Sequence, residues 1–359
     1  MKVAPVLAAG ERAGLRQYLV HTGQHYSHSM SDGFFEDLGL PKPDVNLGVG
    51  SGSHAEQTAR IMIAIEPVLD RYGPDWLVVY GDVNSTIAAA LVASKKGIRI
   101  AHVEAGLRSW DRGMPEEVNR VLTDRLADLL LTPSLDGNVN LKAEGVPDDH
   151  VVFVGNVMVD TLLRLRDRAR LVGMADRLGV AGKPYAVVTL HRPSNVDQPE
   201  VLKELMMSLR DLAEQMEVLF AIHPRTRQRI DEFGLTSISH PRLRLLEPLG
   251  YLETIGLVEP ATLVLTDSGG LQEETTVLGV PCLTARPNTE RPVTVSEGTN
   301  RLVSSTREAI GLAVRQVLAD RAAGTFSPRR PAGWDGQAGE RVVEALVRAY
   351  RGSDSSVTA

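Results

Sequence analysis

Residues 76–106, WLVVYGDVNSTIAAALVASKKGIRIAHVEAG, decide the fold. The stretch opens with an apolar run, turns at Gly81-Asp82, and continues as TIAAALVASKKG at helical spacing. A second apolar run, IRIAHV, follows and stops at Glu104. Continuous apolar runs flanking a helical segment read as parallel strands buried on both faces and joined by a crossover helix. The unit recurs. QYLVHTG, LLLTPS and VVFVGN supply further strands in the first half; YAVVTLH, VLFAIHP, LRLLEPL, TLVLTDSGG, PCLTA and NRLVSS supply those of the second. Strands alternating with amphipathic segments predict an α/β protein with two doubly wound, Rossmann-like domains. In EEVNRVLTDRLAD, residues Val118, Val121, Leu122, Arg125, Leu126 and Leu129 mark one helical face.

The pattern breaks over residues 155–184, a charged, strandless stretch closing with Gly182 and Pro184. The boundary is placed there: a first domain over 1–157 and a second over 158–336. A final helix over 337–352 is expected to join the first, and 353–359 to form a disordered tail.

Hydrophobic residues make up 43% of the chain and charged residues 23%, which is globular rather than disordered. A formal charge of −6 argues against nucleic acid as a partner but leaves anionic ligands open. Cys282 has no partner for an internal disulfide, so a reducing cytoplasm is expected, with the thiol as buried packing. No apolar run approaches the ~20 residues of a membrane helix, and MKVAPVLAAGERAG is too short and too broken by Pro5 for a signal peptide.

Ligands of open parallel sheets bind beyond the carboxyl ends of the strands. Those ends carry Asp82, Glu104, His191, His223 and Asp267-Ser268. Singly, each is more often a cap or turn former; across both halves they point to a cleft enzyme. DSGGLQEE (267–274) is the most informative. A strand ends at Thr266, Gly269 and Gly270 allow close backbone approach, and the helix start that follows offers free amides to a phosphate. HRPSNVD (191–197) places His191, Arg192 and Asn195 where they could touch a diphosphate, or form only a polar turn. HPRTRQR (223–229) adds arginines read mostly as solvated helix surface, and ERP (290–292) adds Arg291. No GxGxxG or GxxxxGK[ST] supports a dinucleotide or P-loop site, no spacing suggests a metal, and no cofactor is expected. In MPEE (114–117), proline followed by two glutamates is also an ordinary helix opening.

Taken together, TGQH (22–25), GDVNST (81–86), HVEAGLRS (102–109), MPEEVNR (114–120), HRPSN (191–195), DSGGLQEE and TERP (289–292) resemble the non-hydrolysing UDP-N-acetylglucosamine 2-epimerases, in order and over nearly the whole chain. The resemblance implies two Rossmann-like domains in the glycosyltransferase-B arrangement with a central cleft, and a cytoplasmic homodimer serving polysaccharide synthesis. It implies that Asp82, Glu104 and Glu116 are acid/base carboxylates and His191 an essential histidine near the diphosphate. Lys2, Ser268, Gly269, Gly270 and Arg291 would contact the diphosphate, Glu274 the ribose, and Gln24 and His25 a regulatory site. Glu117 is left as the helix-opening residue. Two departures stand out. The chain begins MKVAP, without the strand and Gly/Arg loop that open such sequences, so a central strand of the first sheet is expected to be missing. Thr254 stands where an aromatic ring against uracil is expected, with Tyr251 nearby.

The implied reaction inverts carbon 2 of UDP-N-acetylglucosamine. UDP leaves to give 2-acetamidoglucal and re-adds after a proton returns on the other face. Alternatives are a hydrolysing 2-epimerase, a glycosyltransferase of the same architecture, and a non-catalytic nucleotide-sugar binder.

Overall fold

The computed structural model describes residues 1–23 and 37–354. The chain divides into two compact units, Met1–Thr161 with Ala332–Ala359, and Leu162–Pro331. The division falls inside the helix Val157–Leu171, and the return to the first unit begins at Ala332, ahead of residue 337.

In the first unit β3 (Trp76–Tyr80), β4 (Arg99–Val103), β5 (Leu129–Thr132) and β6 (Val151–Phe153) form a parallel sheet in that order. β1 (Val20–His21) and β2 (Val45–Asn46) form a separate parallel pair. The helix Ala338–Asp354 lays Val342, Val343 and Leu346 against Ala101, Val103 and Leu131 of the sheet. It runs into the stretch expected to be tail, ending at Asp354. Trp334 is fully buried just before it, and its indole N–H donates to Pro133 O at 2.9 Å. That satisfied polar edge is what lets so large a ring sit inside.

Between β1 and β3 lies a cavity of about 930 Å³ whose lining includes Val20, Leu69, Val78, Val343 and Leu346. The flanking strands run the same way. Tyr18 stacks on Tyr72 at their entry ends, with ring centroids 3.6 Å apart, and Thr22 meets Ser85 at 2.9 Å beyond their exit ends.

The helix Pro115–Leu126 reverses the expected burial. Glu117, Arg120, Thr123 and Asp124 are buried, while Val118 and Leu122 are exposed. Residues 117, 120 and 124 share a helical face, and every charge on it finds a buried partner, described below. Leu129, assigned to the same helical face from sequence, lies in β5.

In the second unit β7 (Tyr185–Thr189), β8 (Glu217–Ala221), β9 (Leu243–Leu246), β10 (Leu263–Thr266), β11 (Cys282–Ala285) and β12 (Asn300–Val303) form one parallel sheet, ordered β12-β11-β10-β7-β8-β9. The order reverses between β7 and β10, the switch point at which open α/β sheets bind ligands. Leu202, Leu205 and Leu209 of the helix Pro199–Ala213 pack with Phe220, Leu263 and Leu283 at full burial. Each such side chain contributes roughly 1.5–3 kcal/mol over its exposed state. Cys282 is buried and free, and burial pushes its thiol up to about 11. Among the described residues no helix is long and apolar enough to cross a membrane.

Candidate active site

In the first unit the acid/base candidates stand at the carboxyl ends of adjacent strands. β3 runs into Gly81 at φ 65°, where a Cβ would come within 2.5 Å of Lys2 Nζ and 3.3 Å of Glu104 Oε2. The left-handed backbone there favours glycine, and a Cβ would push the end of the lysine aside. Asp82 follows, half-buried, and its Oδ2 accepts from Arg120 Nη2 at 2.5 Å and Nε at 3.2 Å. Glu104, just past β4, is buried and holds φ 75°, left-handed backbone that glutamate rarely adopts. Its amide donates to Leu131 O at 3.0 Å, tying the turn to β5. Lys2, assigned to phosphates from sequence, pairs with Glu104 Oε2, one of the acid/base candidates. Glu116 is half-buried in the first turn of the helix Pro115–Leu126.

Glu117 does more than open that helix. It accepts from Ser109 N, Ser109 Oγ and Trp110 N, each at 2.9 Å, and from Arg120 Nη1 at 2.7 Å. Arg120 therefore bridges Glu117 and Asp82; sequence reasoning singled out Asp82 but missed Arg120 and the part that Glu117 plays. The signal was present: Glu117, Arg120 and Asp124 recur at helical spacing, a charged stripe as regular as the apolar one beside it.

In the second unit the candidates meet at the switch point. Asp267, fully buried after β10, is the hub. It accepts from His191 N at 3.0 Å and Arg192 N at 2.9 Å, both beyond β7, and from Asn195 Nδ2 at 3.0 Å. His191 Nδ1 lies 3.0 Å from Asp267 Oδ1, leaving Nε2 of the half-exposed ring toward solvent and ligand. Burial alone would raise the Asp267 carboxyl, but His191, Asn195 and the Arg192 amide outweigh it and hold the group below its ordinary range.

Ser268 stands at the N-cap position of the helix Gly269–Leu278 without a side-chain capping bond, and the helix's N-terminal amides and dipole suit an anion. A Cβ on Gly269 would lie 2.8 Å from Arg291 Nη1, so glycine lets the guanidinium lie against the helix start. Arg291 is itself buried, 2.7 Å from Glu273 Oε1 and paired with Glu290. Arg286 braces Glu290 at 2.7 Å. Glu274 is buried beside the Tyr251 hydroxyl, and burial pushes its carboxyl up to about 8. Thr254 Oγ1 is engaged with Gly250 O at 2.9 Å. The arginines of residues 223–229 are surface pairs, Arg225 and Arg229 with Asp197, and Arg227 with Glu247. Gln24 and His25 lie outside the described residues.

The first unit thus joins carboxylates to cations at strand ends, and the second joins an imidazole, an arginine and a helix start at a switch point. The model of the family described as UDP-N-acetylglucosamine 2-epimerase matches residues 8–347. The chain belongs to that family. It is 43% identical over 354 residues to a UDP-N-acetylglucosamine 2-epimerase of Methanocaldococcus jannaschii, covering 97% of this chain and 95% of that one. A crystal structure of the Methanocaldococcus enzyme in complex with UDP-GlcNAc and UDP matches with a TM-score of 0.89 over 97% of this chain and 96% of that one. The UDP-GlcNAc 2-epimerase of Neisseria meningitidis bound to UDP-GlcNAc, 30% identical, matches with a TM-score of 0.87 over 97% and 96%. A UDP-2,3-diacetamido-2,3-dideoxy-D-glucuronate 2-epimerase of Pseudomonas aeruginosa is 40% identical over 342 residues, 94% of this chain and 93% of that one. The chain is an enzyme of the 2-epimerase type.

Proposed function

We propose that the chain interconverts UDP-N-acetylglucosamine and UDP-N-acetylmannosamine by eliminating and re-adding UDP. The observation that carries the reading is Glu104, a buried carboxylate in left-handed backbone at the end of β4. That strained placement, with Lys2 against the carboxylate beside the Gly81 turn, suits a proton-transfer site.

The C2–H bond is not acidic while the anomeric centre is intact. As the C1–O bond to UDP breaks, its electron pair leaves with the diphosphate and the C2 proton passes to a carboxylate, giving 2-acetamidoglucal. A proton then reaches C2 on the opposite face and the diphosphate oxygen re-forms its bond to C1. Asp82, Glu104 and Glu116 are the acid/base set. Lys2 and Arg120 hold Glu104 and Asp82 in place between transfers. Ser268, Gly269, Gly270 and Arg291 take the diphosphate, His191 donates from Nε2 to the departing oxygen, and Glu274 binds the ribose. Donors aimed at such developing charge contribute roughly 2.7–4 kcal/mol each.

Val118 at 40% exposure, Leu122 at 49% and Ile63 at 73% support a homodimer, since apolar helix faces left outside call for a cover. The single buried thiol supports a cytoplasmic setting.

The test is incubation with UDP-N-acetylglucosamine in D2O. Deuterium should enter carbon 2 of both epimers, and Glu104→Gln should lose exchange while keeping UDP affinity. Release of free N-acetylmannosamine, turnover only with an acceptor, or UDP binding without exchange would replace the reading by hydrolysis, transfer or binding alone. Exchange confined to the 2,3-diacetamido uronate would move the substrate.

A further inference from the structure

We propose that Asp124 and His102 form a positioning strut that sets both acid/base carboxylates, and that His102 works in it as a doubly protonated imidazolium. The proposal rests on the reading of Asp82 and Glu104 as acid/base groups.

His102 lies in β4, one residue before Val103, at 0% exposure. Its Nε2 is 2.8 Å from Gly81 O and its Nδ1 is 2.6 Å from Asp124 Oδ1. A carbonyl oxygen can only accept, so Nε2 carries a proton. Asp124 also receives Gly106 N–H at 3.1 Å and Arg108 Nη1 at 2.7 Å on Oδ2. A carboxyl in that company is ionised and likewise accepts, so Nδ1 carries a proton too. Burial would raise Asp124, but His102 and Arg108 outweigh it and keep the group below its usual range.

The strut ends on the two peptides that matter. Gly81 is the residue before Asp82, so His102 fixes the turn presenting Asp82. Gly106, at φ 81°, closes the turn that Glu104 opens at φ 75°. One buried carboxylate thus braces both turns. Arg108 anchors it from behind, with Nε and Nη2 on Glu144 Oε1 and Oε2 at 2.7 and 2.8 Å. Removing one partner from so buried a set leaves an uncompensated charge, so the geometry is stiff.

In Asp124→Asn the amide oxygen can keep Gly106 N–H and Arg108 Nη1, but its NH2 then faces the Nδ1 proton of His102, a donor–donor clash that releases the strut or strips the imidazolium of that proton. The rate of carbon-2 exchange should fall about 10²-fold while KM and the UDP Kd stay within about 3-fold, since placement of reacting groups acts on kcat. Active sites are counted by UDP binding, which removes any unfolded fraction. His102→Gln, which keeps one N–H for Gly81, should show the same split and serves if Asp124→Asn does not fold. Nitrogen NMR of the unsubstituted chain should find both His102 ring nitrogens protonated at pH 7. A single protonated nitrogen, or a folded Asp124→Asn with undiminished exchange, overturns the strut. If Glu104→Gln is silent while Asp124→Asn is fully active, the strut alone fails; if Glu104→Gln keeps full exchange, the acid/base reading fails and the strut's purpose falls with it.

Discussion

Replacing Asp267 by asparagine tests the hub of the second unit and can be worked through atom by atom. Oδ2 receives Arg192 N–H at 2.9 Å, Asn195 Nδ2 at 3.0 Å and His191 N–H at 3.0 Å, while Oδ1 faces His191 Nδ1 at 3.0 Å. An asparagine placed with its oxygen at the Oδ2 position keeps the first three bonds. Its NH2 then meets His191 Nδ1, which must turn from donor to acceptor. A proton left on Nδ1 would face the amide as a donor–donor clash. Each retained bond changes from charge-assisted to neutral, losing on the order of 1 kcal/mol, so stability should fall by about 3 kcal/mol at pH 7. A ring no longer held by a carboxylate behind it donates less well to the leaving oxygen and should lower kcat by about 10- to 150-fold, equivalent to ~1.5–3 kcal/mol.

The pH dependence has a definite sign. Asp267 is held below its ordinary value, so its contribution is full above the unfolded-chain value near ~4 and is lost as pH falls through the folded value. The gap between parent and variant should therefore be widest at neutral pH and close in acid. Urea unfolding by far-UV circular dichroism measures it, because Trp76, Trp110 and Trp334 all lie in the first unit. Imidazole NMR reads the tautomer. Equal stability at pH 7, or an Nδ1 proton surviving in the variant, would refute the reasoning.

Three further outcomes are expected. Glu274, pushed up to about 8 by burial from an ordinary 4.5, favours the folded state below the lower value and loses that contribution as pH rises through the upper one. Glu274→Gln should accordingly gain melting temperature over the parent as pH goes from 5 to 9, and lose UDP affinity by calorimetry. An alanine at Gly106 would sit at φ 81° with its Cβ 2.6 Å from Gly137 O. Such strain costs about 1–3 kcal/mol, a drop of roughly 5 °C by scanning calorimetry, and an unchanged midpoint would mean that the turn is not rigid. Joining an apolar strand of about five residues ahead of Met1 should fill the gap between β1 and β3 and raise the melting temperature. A Gly/Ser extension of equal length is the control, and equal melting of the two would exclude the strand from the gap.

The sequence by itself determined the class of fold and the identity of the strand-end residues. Short continuous apolar runs such as WLVVY and LVLT, each followed by a turn, read as strands of a parallel sheet, and whatever follows such a strand stands at the sheet's carboxyl edge. Asp82, Glu104, His191 and Ser268 were legible for that reason. Motif order over the whole chain supplied the reaction. The helix Pro115–Leu126 marks where local pattern fails. Its apolar stripe, Val118 and Leu122, was the natural choice for burial, yet the charged stripe went inside. That outcome depends on partners remote in sequence: Asp82 for Arg120, Ser109 for Glu117, and His102 with Arg108 for Asp124. Likewise nothing near Asp267 in the chain announces that it will hold His191, 76 residues earlier. The parallel pairing of β7 with β10 brings them together, and only then does the burial of Asp267 become affordable. Periodicity reports which residues avoid water, because that is a property of each side chain. Which buried charges survive depends on who meets them, and that only the tertiary structure decided.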